Sequence, residues 1–184
     1  MNLYFRMFYM LFLSQFKRNA SVFQDFITKH RVWPNDLDIL GHVNNGRYFT
    51  ITDNVRIGWL IQAGIWKEMK KRGYYAVVAG ETAQFRKSLM PFQKFEIVSR
   101  NMGWDDKFFY VEHQFISKKG IHAIVLVKVM MLGKGNTKVS PHEILSLVPH
   151  PEGIPEVNTN ESILNWNTST DLQWKEFKAN QSLA

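Results

Sequence analysis

Tyr48, Ile51, Val55, Trp59, Ala63 and Trp66 recur at steps of three and four residues, and the chain after them breaks into strand-length runs near 75–87, 94–103, 107–117 and 121–133. A helix with one buried stripe followed by four strands leaves few ways to fold. Turn signals at Lys71-Arg72-Gly73, Asn101-Met102-Gly103 and Ser117-Lys118-Lys119-Gly120 separate the runs, which is how an antiparallel sheet is punctuated. Val22 to Trp33, rich in β-branched and aromatic residues, reads as a further strand before the helix. Gly64 predicts the end of the main helix and a short second one over Ile65 to Lys71. Ser140-Pro141-His142-Glu143 reads as another helix start. The class is α+β, one long helix against an antiparallel sheet.

The segment joining the first strand to the helix is the most chemical part of the chain. Asn35 to Tyr48 crowds Asp36, Asp38, His42, Asn44 and Asn45 between two rigid elements, the setting in which reactive groups are usually displayed. Asn44 and Asn45 stand where a helix N-cap belongs. The backbone N–H groups after them are donors at the positive end of a helix dipole, suited to holding an oxyanion. Asp38, four residues before His42, offers a carboxylate as nucleophile or as general base toward water. Such a pairing suits attack on a carbonyl. Asp36 and the Asn45 side chain read more simply as a turn former and a cap. Asp53 and Arg56, three apart on the helix, read as a structural ion pair.

Those residues carry a resemblance. Asp36-x-Asp38-x-x-Gly41-His42-Val43-Asn44-Asn45-x-x-Tyr48, with Asp53 and Arg56 behind it, resembles the hotdog-fold acyl-CoA thioesterases of the 4-hydroxybenzoyl-CoA thioesterase type, and within them the thioesterase superfamily member (Them-like) subgroup. Phe85-Arg86-Lys87-Ser88-Leu89, Pro91-Phe92, Phe95 to Arg100 and Gly103 to Tyr110 continue the likeness, which covers roughly residues 22 to 147 by inspection. It implies a curved antiparallel sheet wrapped round a central helix. It implies Asp38 as the catalytic carboxylate and the backbone near Asn45 as the carbonyl-polarising helix start. His42 is similar to the catalytic histidine of plant acyl-ACP thioesterases, although Leu40 stands where those enzymes have an asparagine. Tyr48 and Trp59 would line an aromatic acyl pocket, with Asn44 helping to position the loop. The resemblance also implies a homodimer or homotetramer, in which Glu81 and Thr82 of one subunit face the Asp38 loop of the other. Open sheet edges argue for the same pairing.

The expected reaction is hydrolysis of a fatty or aromatic acyl-CoA, or of an acyl-ACP, to free acid and thiol. The alternative is a non-catalytic acyl-CoA or lipid-binding module. A hotdog hydratase would want a paired Asp and His at a different spacing, and none stands out.

Composition narrows the rest. A chain of 184 residues that is 45% hydrophobic and 14% aromatic supports one domain with a packed core. The absence of cysteine excludes disulfides, zinc ribbons and a Cys nucleophile. Histidines at 30, 42, 113, 122, 142 and 150 show no metal spacing, so neither metal nor other cofactor is expected. The net charge of +7 fits a polyanionic ligand; Arg86, Lys87, Lys107, Lys118 and Lys119 fall at strand ends where a nucleotide and its phosphates would rest. Nucleic acid is not expected, since no recognition-helix, RNP-type or zinc-finger pattern accompanies the charge.

Three regions follow: an apolar and basic segment over 1–20, the hotdog domain over 21–148 and an extension over 149–184. Asn2 to Phe16 is apolar but carries Arg6 and is shorter than the ~20 residues of a membrane span, and no small-residue cleavage site follows. It reads as a helix docked on the domain, or as an interfacial anchor with Arg6, Lys17 and Arg18 at a lipid surface. A cytoplasmic protein, peripheral to a membrane in the second case, is the expectation.

Overall fold

The computed structural model describes residues 20–156 and 159–181. The apolar segment discussed above lies outside them, Ala20 apart. The chain runs β1 (Phe26–Arg31), α1 (Asn45–Gln62), α2 (Ile65–Arg72), β2 (Tyr75–Phe85), β3 (Lys94–Trp104), β4 (Phe108–Ser117), β5 (Gly120–Leu132), β6 (Lys138–Val139), α3 (Pro141–Leu145) and α4 (Glu161–Gln181). All pairings are antiparallel, in the order β1-β3-β4-β5-β2, with β6 added to β5. This is the hotdog order that the sequence predicts.

The period-2 pattern decides which face of the sheet receives α1. Ala123, Val125, Val127, Val129 and Met131 alternate along β5 and are all buried, so one face of the strand is continuously apolar. The α1 stripe of Tyr48, Ile51, Val55 and Trp59 is buried with it in one core. Fully burying each such side chain stabilises by about 1.5–3 kcal/mol before entropy is counted. Gly64 ends the stripe at φ +77°, a left-handed conformation that disfavours side chains with a Cβ. α2 can therefore turn back as predicted. Ser140 caps α3, its hydroxyl accepting from the Glu143 N–H at 3.2 Å.

The C-terminal extension holds a helix that the sequence does not announce. α4 buries Ile163 and sets Trp166 against Gly80, while Leu164, Leu172, Trp174 and Phe177 stay exposed. Its anchor on the sheet is polar as well: the Lys128 ammonium of β5 donates to Asn167, lies 3.8 Å from Asp171 and sits 4.1 Å over the Phe108 ring. Among the described residues no helix is long and apolar enough to cross a membrane.

Candidate active site

The loop between β1 and α1 is a tight, internally bonded structure. Pro34 to Asp36 form a single 3-10 turn, closed by the Asp36 N–H donating to the Trp33 carbonyl at 2.8 Å. The buried Asp36 carboxylate accepts the Trp33 N–H at 2.9 Å and lies 3.6 Å from Arg47 Nε. Its work is structural, as the turn reading predicts. Leu37 and Val43 then bridge, and the Asp38 N–H donates to the His42 carbonyl at 2.9 Å. Gly41, at φ +76°, closes this small hairpin.

Asp38 sits on the open side of the hairpin. One carboxylate oxygen accepts the Leu40 N–H at 2.9 Å, and the other lies 3.3 Å from His42 Nδ1. The Asp38 and His42 side chains are 23% and 30% exposed, enough to meet water or a substrate while held in place. The tip between them, Ile39 and Leu40, is fully solvent-exposed or nearly so.

The start of α1 stands next in the chain. Asn44 is the N-cap, its side-chain oxygen accepting the Gly46 N–H at 2.9 Å, and its carbonyl takes the Arg47 N–H at 2.9 Å. Among the described residues the Asn45 N–H meets no acceptor. That leaves one free donor at the positive end of an 18-residue helix, the property an oxyanion site needs. The amide, rather than the Asn45 side chain, is the useful group.

A second connection holds the loop from outside. The Val43 N–H donates to the Leu89 carbonyl at 3.0 Å, and the Phe92 N–H donates to the Val32 carbonyl at 3.1 Å. Between these anchors Met90 to Gln93 make a turn with Pro91 second and Phe92 third, Phe92 lying at φ +60°. That position of a type II turn normally takes glycine, and a bulky side chain there is strained.

The structure separates residues that the sequence groups together. Tyr48 is packed edge-on against Phe85 and Phe115 at 5.1 and 4.8 Å, and burial pushes its hydroxyl up from the usual phenol range, against a backbone hydrogen bond from Leu89. Trp59 instead stacks on Phe26, donates to the Ser21 carbonyl at 3.1 Å and lines a cavity that Tyr48 does not reach. The single aromatic pocket expected around both is therefore two environments; eleven residues of helix put them about 16 Å apart at ~1.5 Å per residue. The basic cluster divides as well. Arg86, Lys87, Lys118 and Lys119 share one end of the sheet, where Lys87 donates to the Lys119 carbonyl at 2.8 Å, but Lys107 lies in the β3–β4 turn at the opposite end.

Glu81 and Thr82 are half-buried on β2. Glu81 faces its own subunit's helix: Arg56 reaches both Asp53 and Glu81, the latter at 3.4 Å. Burial raises the Glu81 carboxyl above the usual range, against the pull of Arg56. The 53–56 pair is as the helix spacing predicts, but its third member, 25 residues away, has no local signal. Nor does the buried Ser99–His113 contact at 2.8 Å across β3 and β4. Burial, and secondarily Arg56, hold His113 well below the ordinary histidine range. Among the described residues no three His, Asp or Glu side chains are grouped to hold a metal ion.

The site thus combines a reachable carboxylate, a histidine beside it and a helix-start donor next to a sheet curved round the helix. The sequence pattern of the family described as Thioesterase-like superfamily matches residues 32–155, which spans this loop, α1 and the whole of β2 to β6. The chain belongs to that superfamily. Thioester hydrolysis is the general chemistry that this membership carries. Over 173 residues the chain is 30% identical to Protein THEM6 of Xenopus laevis, covering 91% of this chain and 81% of the relative. It is 28% identical to Thioesterase lcsJ of Purpureocillium lilacinum, covering 77% and 55% respectively. Among solved structures, the probable thioesterase YbaW of Escherichia coli superposes with a TM-score of 0.61 at 20% identity over 66% of this chain and 96% of that one. The hypothetical protein SAV2348 of Staphylococcus aureus, solved in complex with CoA, gives 0.63 at 17% identity over 79% and 95%. These superpositions show the same hotdog fold.

Proposed function

We propose that this protein hydrolyses acyl-CoA thioesters, with Asp38 as the reactive carboxylate and the Asn45 N–H as the oxyanion donor. The observation that carries the reading is the juxtaposition of those two groups on one short loop and helix start, with His42 3.3 Å from Asp38. As general base, Asp38 takes a proton from water while the water oxygen bonds to the carbonyl carbon. The charge that develops on the carbonyl oxygen is met by the helix-start N–H. The C–S bond then breaks, and the CoA thiolate leaves with the proton that Asp38 returns. As nucleophile, the same carboxylate would bond to the carbonyl carbon and expel the CoA thiolate, forming a mixed anhydride that water opens at the Asp38 carboxyl carbon. His42 and Asn44 hold the loop in either case. The phosphates of CoA have Arg86, Lys87, Lys118 and Lys119 at the same end of the sheet to approach. The chain works in this reading as a homodimer or homotetramer, since β1 and β2 are the two ends of the strand order and edge strands invite pairing with a second copy.

Thiol release from a panel of acyl-CoAs tests the proposal, using a thiol reagent that this cysteine-free protein cannot consume. Wild type should turn over, and Asp38→Asn should lose about 10²–10⁴-fold in kcat, the usual span for a general base. Binding of acyl-CoA without thiol release would replace hydrolysis by the binding-module reading. Hydrolysis in ¹⁸O-water under single turnover separates base from nucleophile, because only the nucleophilic route first delivers an enzyme oxygen to the product.

A further inference from the structure

The end of the sheet that carries the Asp38 loop is cationic and apolar at once. Strand register sets Arg31 opposite Lys94, places the β4–β5 hairpin with Lys118 and Lys119 next to them, and brings the end of β2, with Arg86 and Lys87, beyond that. All of these side chains are exposed. Along the strand order β1-β3-β4-β5-β2 they make an arc about 19 Å long, at ~4.8 Å per strand. Glu96, the acid beside them on β3, faces Lys29 at 3.9 Å.

Two apolar tips stand at the same end. Ile39 and Leu40 crown the Asp38 hairpin, with Leu40 74% exposed, and Met90 and Phe92 of the neighbouring turn are 47% and 56% exposed. The Val43–Leu89 and Phe92–Val32 backbone bonds tie the two tips together. Phe92 keeps its side chain in water at a φ of +60°, a strain that folding alone does not reward. Neither tip contributes to the large cavities beside α1; both protrude.

Protruding hydrocarbon flanked by cations fits an anionic surface that can be penetrated. A second copy presenting the same end would set like charges against each other, and a rigid acidic protein would need recesses matched to both tips. A bilayer needs neither. Apolar side chains enter between its headgroups while lysine and arginine lie over the lipid phosphates. We propose that the Asp38 end of this protein docks on an anionic lipid surface, with Ile39, Leu40, Met90 and Phe92 as the inserted residues. The Asp38 hairpin then opens at the level of the headgroups, where an acyl-CoA, being an amphiphile, partitions. The docking surface stands independently of the thioesterase reading; only this delivery of substrate rests on it.

The absence of cysteine makes the orientation measurable. Leu40→Cys and Asp106→Cys, each carrying a nitrobenzoxadiazole dye, are titrated with vesicles of phosphatidylcholine mixed with phosphatidylserine and of phosphatidylcholine alone. Both positions are exposed, and circular dichroism confirms that each variant folds. The dye at 40 should shift to the blue on the anionic vesicles, and the dye at 106, in the β3–β4 turn at the opposite end of the sheet, should not. Co-sedimentation of unlabelled protein then gives affinities. Each lysine near an anionic leaflet is worth about fivefold, so Lys118→Gln combined with Lys119→Gln should weaken binding about twentyfold. Ile39→Ser combined with Leu40→Ser should weaken it at least about tenfold, since each methylene withdrawn from water is worth about fourfold. Failure to bind anionic vesicles, a blue shift at 106 as large as at 40, or affinity untouched in both folded double variants overturns the proposal. Binding of holo acyl carrier protein in place of vesicles also overturns it and assigns this end to an acidic protein partner. No outcome depends on thiol release, so the hydrolase reading stands or falls by its own test.

Discussion

The two ends of α1 are built on opposite plans. At its start, the Asp38 loop is polar, half-exposed and held by at least five short-range backbone or cap hydrogen bonds. At its far half, Ile57, Trp59 and Leu60 face a cavity lined almost wholly by hydrocarbon. The first is made from neighbours in sequence; the second is assembled from three helices and four strands. Local hydrogen bonding can fix a reactive group to a fraction of an ångström, whereas a cavity assembled from distant elements decides what fits. On the proposed reading, the reactive groups belong to the first of these ends alone.

The comparison breaks most visibly at Asp38. Asp38→Asn should cost the 10²–10⁴-fold in kcat stated above, read as thiol release from acyl-CoA. Next in size is Arg56→Met, which leaves Glu81 half-buried without its cation. Breaking a fully buried pair costs about 3–5 kcal/mol; with Asp53 half-exposed, about 2 kcal/mol is expected by urea denaturation. Glu81→Gln in the same background should recover part of it.

His113 supplies a smaller effect with a defined sign. Its folded-state pKa is lowered from 6.5 by burial among Ser99, the β3–β4–β5 core and Arg56 above it. Below pH 6.5 the unfolded chain takes a proton that the folded chain refuses, so this stability is present at neutral pH and declines as pH falls toward the folded value. The slope is at most about 1.4 kcal/mol per pH unit. Urea midpoints at pH 7 and 5.5 should diverge more in wild type than in His113→Gln. The smallest effect belongs to Asn44→Ala, a lost cap worth about 1 kcal/mol, measurable as a shift in Tm.

The same contrast explains what could be read from the sequence. The α1 stripe, the Gly64 break and the four later strands are local periodicities, and the structure repeats them. The Asp38 hairpin was visible because its polar residues are consecutive. The cavity is not, because Trp59 and Val78 come to line it only through the packing of separate elements, and the helical stripe that groups Trp59 with Tyr48 ignores their axial distance. Arg56 and Glu81 belong to different elements, so only half of that triad has a spacing signature. α4 escaped because most of its apolar residues remain exposed and leave no clean face to read.

Phe92 carries a consequence for anyone altering this protein. The turn that steadies the Asp38 loop through Leu89 keeps an aromatic residue at φ +60°, where glycine or asparagine would rest more easily. A library screened for heat resistance alone would enrich Phe92→Gly or Phe92→Asn early. Each such winner would also have changed the mooring of the Asp38 loop, so thermal selection and a screen for thioester turnover should be run together on this scaffold.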